Sequence, residues 1–329
     1  MNLFQMHIMW YEAEMLNETL DTLQAALQYS KVPTEIRICL NTQTYLEEPI
    51  EGKPEDMIEK FIHHQVLKNA TIIRKTNNDS FYNIADWRRE QYNQDGYTYW
   101  GESDCLIPEE YFYTIENLSI DHPHFIAFAS RKMWEESWVK VEHEKLKNLE
   151  HKSGRSAEEP FNWDDYINYD QLKIFNKKQK EIVVLKLDVP KIDGSLIVLS
   201  PGLPQFIPDK MHFVEEDACA QFTFEKNHIP QYLVSNILKG HNYKHHLKRT
   251  NTLATRDDSL YQQFKAEALN VRAEFIPAHF NYLRRMKYSY FKGMIMRQIN
   301  KIRRKLKIGS INYKQGRLLA KIPLPEYIS

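Results

Sequence analysis

Residues 3–10 run apolar with the alternation of a buried strand, and residues 12–29 then place Leu16, Leu20, Leu23 and Leu27 at helical spacing. A second apolar run at 35–40 completes a strand–helix–strand opening of the kind that begins nucleotide-binding sheets. Residues 49–60 are acidic and predict a surface turn leading into a helix, and residues 70–74 predict a third strand. Asn77-Asn78-Asp79-Ser80 is a turn signal. The helix predicted next, over 82–92, sets Ile84, Ala85 and Trp87 against Asp86, Arg88 and Arg89, so Arg88 is expected on an exposed, salt-bridged face. Residues 109–118 predict a helix, and 124–129, 181–187 and 194–200 predict strands, with a turn over 189–193. Between them, 134–163 is polar, charged and irregular around Ser153-Gly154-Arg155-Ser156, the pattern of a long insertion over a site.

Near the end of the chain the period changes. Leu283, Met286, Tyr290, Met294, Ile295, Ile299, Ile302 and Leu306 recur at three- and four-residue steps, predicting an amphipathic helix with its apolar side against the body and its basic side outward. Gly293 is a candidate kink. Residues 284–307 carry ten basic residues and no acidic one. From 231 to 310 there are 17 Lys and Arg against 4 Asp and Glu, a local net of +13 in a chain whose 44 basic and 44 acidic residues balance. Such a field attracts a polyanion, either nucleic acid or an anionic membrane surface, and a solvated face is the plainer reading.

The 329 residues suffice for one large domain or two smaller ones, and a hydrophobic content of 42% permits a core. Cys39, Cys105 and Cys219 lie far apart, without the spacing of a disulfide framework or a zinc knuckle, so a cytoplasmic location is expected. Neither a signal-peptide pattern nor an apolar run of spanning length is visible. The division expected is 1–250 and a basic, mainly helical 251–329, with the oligomeric state left open.

The candidate chemistry starts where the strand-like Tyr97-Thr98-Tyr99-Trp100-Gly101 gives way to Glu102-Ser103-Asp104. Carboxylates at i and i+2 on a strand end point the same way, so two hard oxygen ligands converge as Mg2+ or Mn2+ on a diphosphate requires. A polar turn after an edge strand is the other reading. No GxGxxG is present, so a dinucleotide site is not expected. A second acidic cluster, Glu215-Glu216-Asp217, follows Phe213-Val214, and an acid-rich helix N-terminus would read the same. His241, His245 and His246 fall within six residues without the partners of a standard zinc site.

Glu102-Ser103-Asp104 resembles the metal-binding acidic motif of GT-A glycosyltransferases, usually Asp-any-Asp, with Glu replacing the first Asp. The order of the surrounding segments, over roughly the first 250 residues, is similar to that family's family 2 branch. The resemblance implies an α/β, Rossmann-like GT-A sheet, here followed by the basic extension. It implies that Trp10, Tyr11 and Glu14 cup the nucleotide base, and that Asp86 and Arg89 contact its sugar and phosphate. It further implies that Asp217, beside Glu216, is the base of an inverting reaction. His241 or His245 would join Glu102 and Asp104 on Mn2+ or Mg2+, while Lys244, Lys248 and Arg249 would neutralise the leaving diphosphate.

The function implied is a metal-dependent transfer of a hexose or pentose from a UDP-sugar, such as UDP-arabinose or UDP-glucose, to a hydroxyl. With its basic arm the chain looks like bacteriophage glycosyltransferases that modify DNA, above all those placing arabinose on 5-hydroxymethylcytosine. The implied partner is then double-stranded DNA with hydroxymethylated bases, met through Arg284, Arg285, Arg297, Arg303 and Arg304 in the host cytoplasm. Two alternatives remain: a bacterial surface-polysaccharide transferase at the inner membrane surface, and a nucleic-acid-binding protein without enzymatic activity.

Overall fold

The computed structural model describes residues 1–43, 52–132, 169–188, 194–209, 211, 216–241 and 316–327, together with Phe291, Met294, Ile295 and Ile299. The opening strand β1 (Asn2–Met9) leads into helix α1 (Ala13–Leu27) and strand β2 (Thr34–Asn41), which pairs parallel to β1 from Asn2↔Thr34 to Met9↔Asn41. Helix α2 (Pro54–Glu59) and strand β3 (Thr71–Lys75) follow, β3 lying parallel to β2 on its outer side. Helix α3 (Ile84–Glu90) then returns the chain to strand β4 (Thr98–Gly101), which pairs parallel to the other side of β1.

Two-residue periodicity sorts the faces. Phe4, Met6, Ile8, Ile38 and Leu40 pack with Leu16, Leu20 and Leu23 of α1 in the main core. Cys39 lies instead with Trp87 of α3 and Tyr82 in a separate cluster. Gly101 closes β4 because Phe4 leaves no room for more, since a Cβ there would stand 2.5 Å from its ring.

The rest of the sheet is mixed. Strand β5 (Cys105–Leu106), helix α4 (Tyr111–Glu116), strand β6 (Phe125–Lys132), helix α5 (Tyr169–Lys177), strand β7 (Glu181–Leu187), strand β8 (Ile197–Leu199), helix α6 (Glu216–Lys226), strand β9 (Gln231–His241) and strand β10 (Gly316–Pro323) follow in order. The ten-stranded sheet runs β10-β7-β9-β6-β8-β4-β1-β2-β3, with β5 paired to β9 off this path. Strand β8 is antiparallel to both β4 and β6, whereas β6 and β9 are parallel. Helix α6 places Ala220 and Phe224 against Trp100, Ile197 and Leu199 in a second core cluster.

Two observations concern the region expected to be basic and mainly helical. The last residues of the region expected to be mainly helical form β10, which hydrogen-bonds antiparallel to β7 and so belongs to the sheet of the first 250 residues. Within the predicted amphipathic helix, Met294, Ile295 and Ile299 are helical but exposed, as is Phe291, instead of lying against the body. A hydrophobic period decides which residues share a face, but not what that face meets. All three cysteines are buried free thiols, and among the described residues no helix is long and apolar enough to cross a membrane.

Candidate functional site

Strands β2 and β3 lie to one side of β1 and β4 to the other, so the strand order reverses between β1 and β4. In open α/β sheets the crevice outside the carboxyl ends of the strands at such a reversal is where ligands bind. Two of the anticipated segments emerge at that point. Trp10 and Tyr11 follow β1 in a 3-10 turn and are buried, Trp10 packing with Met9, Tyr11 and Met57. Glu14 lies in the first turn of α1. The carboxylate of Glu12, which sequence reasoning passed over, is buried and accepts from the Met9 amide at 3.0 Å, closing the end of β1.

Glu102 and Asp104 follow β4. They do not extend the strand. The Cys105 amide donates to the Glu102 carbonyl at 3.4 Å and folds them into a turn, which α1 pins through a 2.7 Å bond from the Thr19 hydroxyl to the Ser103 carbonyl. The Thr22 hydroxyl accepts from the Ile107 amide at 3.0 Å just beyond. The two carboxylates still converge. One ligand atom each from Glu102, Asp104 and Cys105 lies within 4.8 Å of the others. Burial, followed by the neighbouring Asp104 and Glu102, holds the Cys105 thiol well above its ordinary range. Two of these three donors are carboxylate oxygens, the kind that Mg2+ and Mn2+ take.

The second acidic cluster meets the first. Glu216 and Asp217 open α6, with Glu216 buried and Asp217 half-buried. The polypeptide at Gly194 runs between the clusters. A Cβ there would stand 2.9 Å from Asp217 Oδ2 and 3.4 Å from Glu102 Oε1, so a larger residue would push the Asp217 carboxylate aside.

Arg88 joins these segments, and its surroundings correct the expected exposed position. Its side chain is fully buried. One Nη1–H donates to Glu216 Oε1 at 2.6 Å. The other arm donates to Glu102 Oε1 at 3.2 Å and to the Gly194 carbonyl at 3.0 Å. The guanidinium lies 4.7 Å from the centre of the Trp100 ring. Burial works against this cation, but Glu216, Glu102 and Asp217 outweigh it and raise its pKa above the usual arginine value. Burial likewise pushes the Glu216 carboxyl upward against the pull of Arg88, with Asp217 and Glu102 adding to the rise.

His241 ends β9 directly across from Cys105 in the β5–β9 pairing. Its Nε2 and the Ser195 hydroxyl are 2.7 Å apart, and buried Lys239 donates to the Ser195 carbonyl. Asp86 and Arg89 take part in bonds of α3 itself. Asp86 Oδ2 accepts from the Asn83 amide at 3.1 Å, closing a capping box, and Oδ1 pairs with Arg89. Arg89 also donates to the Asp209 carbonyl. Lys244, His245, Lys248, Arg249, Arg284, Arg285, Arg297, Arg303 and Arg304 lie outside the described residues, as do 134–163 and 189–193.

No family profile matches the chain, and no curated protein matches it. Among solved structures, residues 1–349 of TarS from S. aureus in complex with UDP-GlcNAc align with 86% of this chain and 73% of that one, at 11% identity and a TM-score of 0.43. The inositol-1-phosphate CTP transferase from T. maritima aligns with 76% of this chain and 94% of that one, at 7% identity and a TM-score of 0.38. At this level of superposition they assign neither a family nor an activity to the chain.

Proposed function

We propose that the chain is a GT-A glycosyltransferase that moves a sugar from a UDP-sugar to a hydroxyl acceptor, with inversion at the anomeric carbon and with Mn2+ or Mg2+. One observation carries this reading. Glu102, grouped with Asp104 after β4, lies with Asp217 of α6 around Gly194, beside the reversal in strand order.

A divalent cation, when bound, offsets the charge that builds on the leaving diphosphate. Asp104 and Glu102 would hold it, with His241 the candidate third ligand. Trp10 and Tyr11 would flank the nucleotide. Asp217 would take the acceptor's proton as the hydroxyl oxygen bonds to the anomeric carbon and the nucleoside diphosphate departs with the electrons of the broken bond. Glu216 is held by Arg88 and would support Asp217 without receiving that proton. The acceptor favoured is 5-hydroxymethylcytosine in duplex DNA, as the resemblance to DNA-modifying glycosyltransferases implies, and the basic stretch is compatible with such a polyanion. UDP-arabinose and UDP-glucose are the donors to try first.

Calorimetric titration with UDP in the presence and absence of Mn2+ tests the donor site, and a screen of UDP-sugars against hydroxymethylated DNA, ordinary DNA and lipid-linked sugars tests the acceptor. Wild type should bind UDP in a metal-dependent way, and Asp104→Asn should lose that dependence and nearly all turnover while melting like wild type. Unaltered metal dependence in Asp104→Asn would remove the metal site. DNA binding without any heat from UDP would leave a nucleic-acid-binding protein, and transfer to lipid-linked sugars alone would favour the polysaccharide enzyme.

A further inference from the structure

Arg88 is entirely enclosed, as are Asp104 and Lys239 of the same site. It sits on α3, yet its bonds go to three other segments: the turn after β4, the first residue of α6 and the backbone at Gly194. The partners are 14, 128 and 106 residues away in sequence. A lysine's three donors radiate from a single nitrogen and lack the fork that spreads Nη1 and Nη2 over separate partners. The planar guanidinium satisfies all three from fixed directions and stacks on Trp100 as well.

Gly194 supplies the complementary constraint. Its carbonyl is fixed by Arg88, while its missing side chain lets Asp217 Oδ2 and Glu102 Oε1 approach the backbone from the other side. Displacing Arg88 would release Glu102 and Glu216 together, and Asp217 would follow Glu216 because both belong to the first turn of α6.

We infer that Arg88 is a positioning residue that latches the metal-holding turn to the helix carrying the proton acceptor, with Gly194 setting how closely the two carboxylates approach. The inference rests on the proposed sugar transfer. The latch would act on both halves of the reaction through Glu102 and Glu216, without touching donor or acceptor.

The test compares wild type, Arg88→Lys, Arg88→Met and Gly194→Ala by melting curve, by Mn2+ titration with UDP as the probe, and by transfer kinetics. Arg88→Lys keeps the charge but not the fork. It should weaken Mn2+ binding roughly 10–100-fold, as loss of a bond that orients a metal ligand does, and lower kcat with little change in the acceptor KM. Gly194→Ala should leave the Arg88 bonds in place and lower kcat through Asp217, with a smaller effect on Mn2+. Arg88→Met should be worse than Arg88→Lys in both readouts. A residue that merely supported the fold would lower the melting temperature in Arg88→Lys without moving Mn2+ affinity or kcat in the folded fraction, and that result would overturn the latch. Should Arg88→Lys fail to fold, Glu216→Gln decides, since it weakens the helix end of the latch and wild-type Mn2+ affinity and kcat there would overturn the latch. If wild type itself binds no Mn2+ with UDP and transfers no sugar, the functional reading fails first and the latch with it.

Discussion

Glu216 and Asp217 are adjacent in sequence but hold different places in the structure. The first turn of a helix turns successive side chains by about a quarter of a circle, so one carboxylate can point into the protein while the next faces the crevice. Glu216 points in and is bonded to Arg88, whereas Asp217 remains half-buried beside Gly194 and Glu102. A proton acceptor must reach the acceptor hydroxyl, and only the second position permits it. Asp217→Asn is therefore expected to keep donor and metal binding and to lose transfer by about 10²–10⁴-fold, the usual scale for a missing general base. Single-turnover transfer beside UDP calorimetry separates the two. Parallel losses of affinity and rate would move Asp217 to the donor side. The pairing of a buried arginine with two acids was not legible in the sequence. On a helical wheel Arg88 shares its polarity with Asp86 and Arg89, and nothing local shows that Glu216 returns to it from 128 residues away.

At the scale of elements, what the chain declares locally is what the structure delivers. The first strand, the leucine-spaced helix and the second strand form a parallel unit because period two and period 3.6 each select one buried face. The carboxylate pair after β4 was visible for the same reason, since a short apolar run that gives way to acids marks the end of a strand by itself. Strand β9 was harder to see. Ser235 and Asn236 interrupt its apolar run, at the place where its pairing with β6 slips. Asn236 instead serves β7, accepting from the Val183 amide at 2.7 Å and donating to the Glu181 carbonyl at 2.6 Å. Helix α3 has only seven residues and depends on its cap, because Asn83 Oδ1 accepts from the Ala85 amide at 2.7 Å and from the Asp86 amide at 3.3 Å. Asn83→Ala should cost about 1 kcal/mol, within the usual range for a lost N-cap. The urea midpoint measures it, and an unchanged midpoint would mean that burial of Trp87 and Arg88 alone holds the helix.

At the scale of the whole molecule, the basic stretch is enclosed between two strands of one sheet. Strand β9 ends at His241, across from Cys105. The chain rejoins the sheet at Gly316, opposite Leu187 of β7. After β10, the Tyr327 hydroxyl donates to Glu110 and its ring lies 4.9 Å from the Lys177 ammonium, tying the end of the chain to α4 and α5. Strand β9 thus ends beside the turn that carries Glu102 and Asp104. If Arg284, Arg285, Arg297, Arg303 and Arg304 meet phosphates, reversing several to Glu should weaken duplex DNA binding and leave UDP and Mn2+ binding unchanged. In wild type, log affinity should fall with log salt at a slope of roughly −0.9 per phosphate neutralised, and each reversed contact should flatten it. Phosphate contacts place the duplex but do not read its bases, so under the proposed function selection of the hydroxymethylated base would fall to the acidic site, and a nucleotide leaving the stack to reach it would cost a few kcal/mol. Transfer to a free hydroxymethylated nucleoside should accordingly survive the reversals, while transfer to duplex DNA is lost. The exposed Phe291, Met294, Ile295 and Ile299 make anionic vesicles the necessary control. Binding to vesicles through this stretch, with DNA bound no better than background at low salt, would assign the acceptor to a membrane surface instead.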